Sequence, residues 1–363
     1  MPLLLRLIMK LRIAPFLPDE TKRLLEVSSG GALITCNHPT DGDPPSLWSL
    51  LYKVRIDARF MAGWDILQRM NRWSRKILQH SGVFSVRRAR MDRQAIARAL
   101  HHLSQERSVV LFPEGHTHGL ATRLLPYQEG AAFIGIAAAR KRETPLPILP
   151  LAVHYRYKEG DSSSVQHQLS ALEESLEQTG KGTGYERLLG CVDALLTLAE
   201  TEEGISGTGT LEGRLANLYS GALANLEKEL GLPHAPEKPV PHRIQHLREA
   251  LDENPSPRGR LHQRVMRLHA FASAKVGHIK ENPTQSRILE TITLLRKEVS
   301  ATLGSSPPTP LVRIAVFRVG EPLFVDPSVL PSPAELTRLL ENRTEELISS
   351  LEREWGIPME SFV

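Results

Sequence analysis

The sequence predicts an α/β fold, a largely parallel sheet flanked by helices, with a large all-α insertion. Over the first 158 residues, short apolar runs alternate with helix-length amphipathic stretches, the pattern of a parallel sheet built from strand–helix–strand units. From about Lys158 helical periods replace the strand-like runs, and strand character returns only at Val312–Phe317. The chain therefore reads as an N-terminal amphipathic segment over 1–25, an α/β domain split between 26–158 and 308–357, and a helical insertion over 159–307. At 363 residues it is long enough for such an arrangement.

The segment Leu3-Leu4-Leu5, Leu7-Ile8-Met9 and Leu11 is apolar but interrupted by Arg6, Lys10 and Arg12. It reads either as a basic helix lying in a membrane interface or as a helix packed on the α/β domain. Gly31–Cys36 is a short buried strand, followed by a turn through His38 and then a helix. Asp43, with Pro44 and Pro45 behind it, is a favoured helix start, read here as an N-cap. A strand at Ala58–Ala62 and one helix over Trp64–Leu78 follow. In that helix Ile66, Leu67, Met70, Trp73 and Ile77 keep helical spacing and read as a core face, with Arg69, Arg72, Arg75 and Lys76 solvated; the alternative is a face that touches a bilayer.

A strand at Val83–Val86, a helix over Met91–Gln105 and a strand at Ser108–Phe112 continue the alternation. A helix over Gln128–Lys141 leads to a strand at Ile148–Tyr155. In the insertion Leu211, Leu215, Leu218, Tyr219, Ala222, Leu226 and Leu230 hold a 3.6-residue period. Thr179–Gly184 lacks the first glycine and the hydroxyl residue of a phosphate loop, and reads as an inter-helix loop. His242, His246, His262 and His269 have no carboxylate or cysteine cluster beside them and read as surface residues. Ala334–Trp355 is the last helix.

Two short segments carry the chemistry. Asn37-His38-Pro39-Thr40-Asp41-Gly42-Asp43 places a histidine and a carboxylate five positions apart, just past a strand's carboxyl end, where open α/β sheets hold their ligands. A neutral imidazole can take a proton from an alcohol near neutral pH, and a carboxylate on its other nitrogen fixes the tautomer. No Gly-x-Ser-x-Gly nucleophile accompanies the pair, so the attacking hydroxyl belongs to the substrate. Phe112-Pro113-Glu114-Gly115 ends the second apolar run.

With these segments, the chain resembles the glycerolipid acyltransferase family typified by 1-acylglycerol-3-phosphate acyltransferases. The His-x4-Asp block, Gly82–Arg88, Phe112–Gly115 and the proline-bearing Leu146–Leu151 match that family's blocks in order. The resemblance implies His38 as general base, Asp43 as its orienting partner, and Arg88 on the acceptor phosphate. It assigns Glu114 and Gly115 to the acceptor site, with Thr117 and Arg123 as further substrate contacts. It implies no cofactor and no metal, only acyl-CoA or acyl carrier protein as co-substrate. The acceptor it points to is a lysophospholipid, 1-acylglycerol-3-phosphate first, with glycerol-3-phosphate or a lyso-aminolipid as alternatives. A phospholipid-biosynthetic enzyme peripheral to the cytoplasmic face of a membrane follows from the same resemblance.

Some positions depart from the family pattern. His116 intervenes before Thr117, His118 follows it, and Gln128 stands where a basic residue is common. These changes bear on the acceptor more than on the transfer chemistry. His116 and His118 lack further ligands nearby, so they do not make a metal site.

Composition agrees with an enzyme acting at an anionic surface. The net charge of +4 hides an asymmetry: residues 1–158 hold 24 Lys+Arg against 12 Asp+Glu, whereas 159–363 hold 21 against 29. The basic half suits a phospholipid surface, a coenzyme phosphate or an acidic carrier. Nucleic acid is disfavoured because no helix-turn-helix, zinc finger or RNA-binding signature accompanies the charge. Two cysteines, Cys36 and Cys191, form no disulfide framework and suit a reducing compartment. No apolar run reaches the ~20 residues a membrane span needs. The reading from another class is a catalytically silent lipid-binding scaffold, disfavoured by the retained His38 and Asp43.

Overall fold

The computed structural model describes residues 10–87, 92–157, 162–253, 258–304 and 311–363. The chain divides into two compact units. The first comprises Met1–Thr117, Ala121–Arg156 and Leu311–Trp355, and the second His118–Leu120, Tyr157–Pro310 and Gly356–Val363.

The first unit is built on an 8-stranded, mostly parallel sheet. Its strands are β1 (Leu11–Ile13), β2 (Leu33–Cys36), β3 (Ala58–Gly63), β4 (Val83–Val86), β5 (Ser108–Leu111), β6 (Leu146–Tyr157), β7 (Arg313–Val319) and β8 (Leu323–Val325). They lie in the order β1-β7-β6-β2-β5-β3-β4, with β8 antiparallel on β6. β2 sits between β5 and β6, parallel to both, with Leu33 opposite Val109 and Ile148. All four of its residues are buried, which is why it reads as an unbroken apolar run.

The helices of this unit include α1 (Pro18–Ser28), α2 (Asp43–Lys53), α3 (Trp64–Arg69), α4 (Arg72–His80), α5 (Arg93–Ser104) and α6 (Gly130–Ala139). One core cluster joins Leu33, Val109 and Ile148 of the sheet to Ala132 and Ile136 of α6 and to Leu336 and Leu340 of the last helix. Gly135 lets α6 lie close on the sheet, since a Cβ there would come within 2.7 Å of Ile148.

Three expectations change in this unit. Leu3–Met9 lies outside the described residues, but Leu11 and Arg12 form a strand rather than a helix, pairing in parallel with Arg313 and Ile314. The edge of β7 offers backbone partners there, and Leu11 is buried by the pairing. Asp43 is the first residue of α2, behind Gly42, and makes no cap, because its carboxylate bonds elsewhere.

The helix expected over Trp64–Leu78 is broken into α3 and α4 at Met70-Asn71. Arg75 reaches back to the carbonyls of Leu67 at 2.9 Å, Gln68 at 3.1 Å and Met70 at 3.3 Å, closing the end of α3. The break re-aims the apolar stripe, so it is not a core face. Leu67 is buried, but Ile66, Trp73 and Ile77 are 38 %, 78 % and 64 % exposed.

The second unit is helical: α7 (Ser162–Ser175), α8 (Gly184–Glu203), α9 (Leu211–Glu229), α10 (Val240–Glu253), α11 (Arg258–Ala274), α12 (Gly277–Glu281) and α13 (Gln285–Leu303). Leu218, Ala222 and Leu226 of the α9 stripe are buried, and Arg214 and Glu227 are buried with them. Each finds a charged partner on a neighbouring helix. Arg214 bonds Glu200 at 2.6 and 3.0 Å, and Arg243 bonds Glu227 at 2.7 and 2.9 Å. The Thr179–Gly184 loop ends in a capping box, in which Thr183 and Glu186 satisfy each other's amides at the start of α8. His242, His246 and His262 are exposed, but His269 is buried, its Nε2 2.9 Å from the Arg248 guanidinium.

Candidate active site

The end of β2 is tied to β6 before the functional loop begins. The Asn37 side chain donates to the Val153 carbonyl at 3.0 Å and accepts from the Val153 amide at 2.7 Å, copying a strand pairing one residue beyond the strand. His38 follows at once, so its backbone starts from a fixed point. Its Nδ1 lies 3.0 Å from Asp43 Oδ2, with the imidazole 12 % exposed and the carboxylate fully buried. A carboxylate accepts from Nδ1, and with that nitrogen donating, the neutral tautomer leaves Nε2 as the acceptor. The ring also lies against Phe112, with centroids 4.4 Å apart.

Asp43 is saturated with donors. Oδ2 also accepts the Thr40 amide at 2.7 Å, and Oδ1 accepts the Thr40 hydroxyl at 3.1 Å and the Tyr155 hydroxyl. Thr40 and Tyr155 meet each other at 2.8 Å. The Arg313 guanidinium stacks over the Tyr155 ring, 4.3 Å from its centre. Burial, and after it the Asp43 carboxylate, push the Tyr155 phenol well above its ordinary range, so it stays a donor.

Glu114 is the second anchor. One of its oxygens accepts the His38 amide at 2.5 Å and the other the Leu125 amide at 2.8 Å. The Pro-Glu-Gly segment thus clamps the His38 loop to the loop after β5. Gly115 turns the chain with φ +78°, its amide bonding the Phe112 carbonyl at 3.0 Å, a conformation that favours glycine. Farther on, the last helix holds this loop: the Tyr127 amide bonds Glu341 at 2.6 Å and its hydroxyl bonds Thr344 at 2.9 Å.

The structure thus brings His38, Asp43 and Glu114 together, with Gly115 shaping the turn beside them. Thr117 and Arg123 lie on the same long loop, each partly buried. Arg88 lies outside the described residues. Cys36 is fully buried, and burial, then Asp43 and Glu114, push its thiol far up, which leaves it an inert packing group. His116 and His118 are both buried. Among the described residues no three His, Cys, Asp or Glu side chains gather as a metal site would require.

Sequence reasoning missed Asn37, Thr40 and Tyr155. Thr40 carried a weak local signal, a hydroxyl residue three before a helix-opening aspartate. Tyr155 carried none, because its partner is 112 residues away in the chain.

Residues 18–154 match the family model described as Acyltransferase, a span that includes His38, Asp43 and Glu114. No curated protein matches the chain.

Proposed function

We propose that the protein moves a fatty acyl group onto a glycerolipid hydroxyl, a reading supported by the match of residues 18–154 to the Acyltransferase family model. The donor is a thioester, acyl-CoA or acyl carrier protein, and the acceptor is a lysophospholipid, with 1-acylglycerol-3-phosphate foremost. The observation that carries this reading is the His38–Asp43 pair at 3.0 Å, its loop clamped by Glu114.

The acceptor hydroxyl lies at His38 Nε2 and loses its proton there as its oxygen attacks the thioester carbonyl. Asp43 stabilises the imidazolium that forms, and Tyr155 and Thr40 keep Asp43 aimed at Nδ1. The tetrahedral adduct collapses with cleavage of the carbon–sulfur bond, and the imidazolium returns its proton to the leaving thiolate. The acceptor phosphate falls to Arg88, and Glu114, Gly115, Thr117 and Arg123 border its path. The basic first half of the chain suits a peripheral position on an anionic membrane. Among the described residues no helix is long and apolar enough to cross a membrane.

The test is thiol release from a long-chain acyl-CoA or acyl carrier protein, with lysophosphatidic acid, glycerol-3-phosphate and a lyso-aminolipid as separate acceptors. Acceptor-dependent release that His38→Ala lowers by ~10²–10⁴ supports the mechanism and names the acceptor. Full activity in a folded His38→Ala protein refutes it.

A further inference from the structure

We propose that α3 and α4 form a docking face for an anionic lipid bilayer. The inference rests on the acyltransferase reading for its purpose, but on independent geometry for its place. Among the residues of α4 whose burial is described, the partly buried ones are Arg75, which closes the end of α3, and Leu78. At 100° per residue, Trp73 and Ile77 fall on the opposite side, facing away from the protein. They are 78 % and 64 % exposed. Arg72, Lys76 and His80 are exposed beside them, and the helix holds no aspartate or glutamate.

A tryptophan and an isoleucine turned into water on one short cationic helix oppose solubility unless something covers them. A bilayer with anionic headgroups answers both halves of the face: the rings and branched chain enter the acyl boundary, and the cations meet the phosphates. Tryptophan in particular favours that boundary, with an apolar ring and one donor.

The topology puts this face beside the candidate active site. α3 leaves the carboxyl end of β3, where Trp64 and Ile66 are 37 % and 38 % exposed, and Arg87, just past β4, lies over the Trp64 ring at 5.7 Å. β3 pairs in parallel with β5, and β5 with β2, so these residues share the strand-end rim that carries Glu114 and His38. Two strand spacings place the rim of the patch about 10 Å across from the His38 strand. A bilayer seated there would present its lipids to the same edge of the sheet that holds His38.

The test is flotation of the full chain with phosphatidylcholine vesicles, with and without phosphatidylglycerol. Three double variants are compared: Trp73→Ser/Ile77→Ser, Arg72→Glu/Lys76→Glu, and Phe324→Ser/Val329→Ser as an exposed apolar control away from the face. The expected result is binding of the wild type to phosphatidylglycerol vesicles, a loss of about tenfold or more in the first two variants, and none in the control. Undiminished binding in both α4 variants overturns the proposal, as does absence of wild-type binding to either vesicle. Flotation needs no turnover. Wild-type vesicle binding without thiol release would therefore refute the enzymatic reading and leave the docking face standing.

Discussion

Three buried carboxylates, Glu200 and Glu227 of the helical unit and Asp43 of the sheet unit, are held by different donors. In the helical unit Glu200 faces Arg214 and Glu227 faces Arg243, each through two hydrogen bonds to one guanidinium. In the sheet unit Asp43 is equally buried, yet its donors are a backbone amide, two hydroxyls and an imidazole. A carboxylate already matched by arginine has little left to offer a reaction. One held by neutral donors stabilises positive charge only when its histidine acquires a proton, which is what a general base needs. Glu200 and Glu227 are thus closed off by guanidinium groups, whereas Asp43 is left facing an imidazole.

The contrast can be broken at three points, of decreasing size. Arg243→Met leaves Glu227 buried beside His234 alone, and unfolding should become easier by about 3–5 kcal/mol. Chemical denaturation measures this, and thiol release below the transition should be unchanged; a lowered rate with intact stability would erase the distinction between the regions.

His154 sharpens the comparison from within the sheet unit. It is wholly buried, and neither ring nitrogen meets a hydrogen-bond partner among the described residues. Burial lowers its pKa to about 4, against ~6.5 in the unfolded chain. Between these values the unfolded chain binds more protons, so stability falls as pH drops from ~6.5 to 4, by on the order of 3 kcal/mol. His154→Leu should flatten that acid limb in melts run across this range; an unaltered limb would assign it to other groups.

The smallest effect belongs to Tyr155→Phe, which removes one donor from Asp43. The rate constant for turnover should fall about tenfold with KM little changed, and the acid limb of the pH–rate profile should move. A change confined to thermal stability would make Tyr155 only a packing residue.

Much of the first unit is legible locally. β2 and β5 are apolar runs because both are buried, and the turn after β2 carries a histidine and an aspartate whose types already suggest proton transfer. The stripe from Ile66 to Ile77 shows where local reading stops. Its spacing is helical throughout, yet Arg75, from within the second helix, closes the end of the first through three backbone carbonyls, and the two helices face different ways. The same holds for His269, whose burial depends on a helix carrying Arg248 beside it.

By itself the sequence determined the alternation of strands and helices, the helical insertion and the pairing of His38 with Asp43, because each depends on residues a few positions apart. Tertiary structure alone decided that Tyr155 would hold Asp43, that Glu114 would clamp the His38 amide, and that Trp73 and Ile77 would face water. Those outcomes depend on which distant segments the sheet order makes neighbours, and neither periodicity nor spacing carries that information.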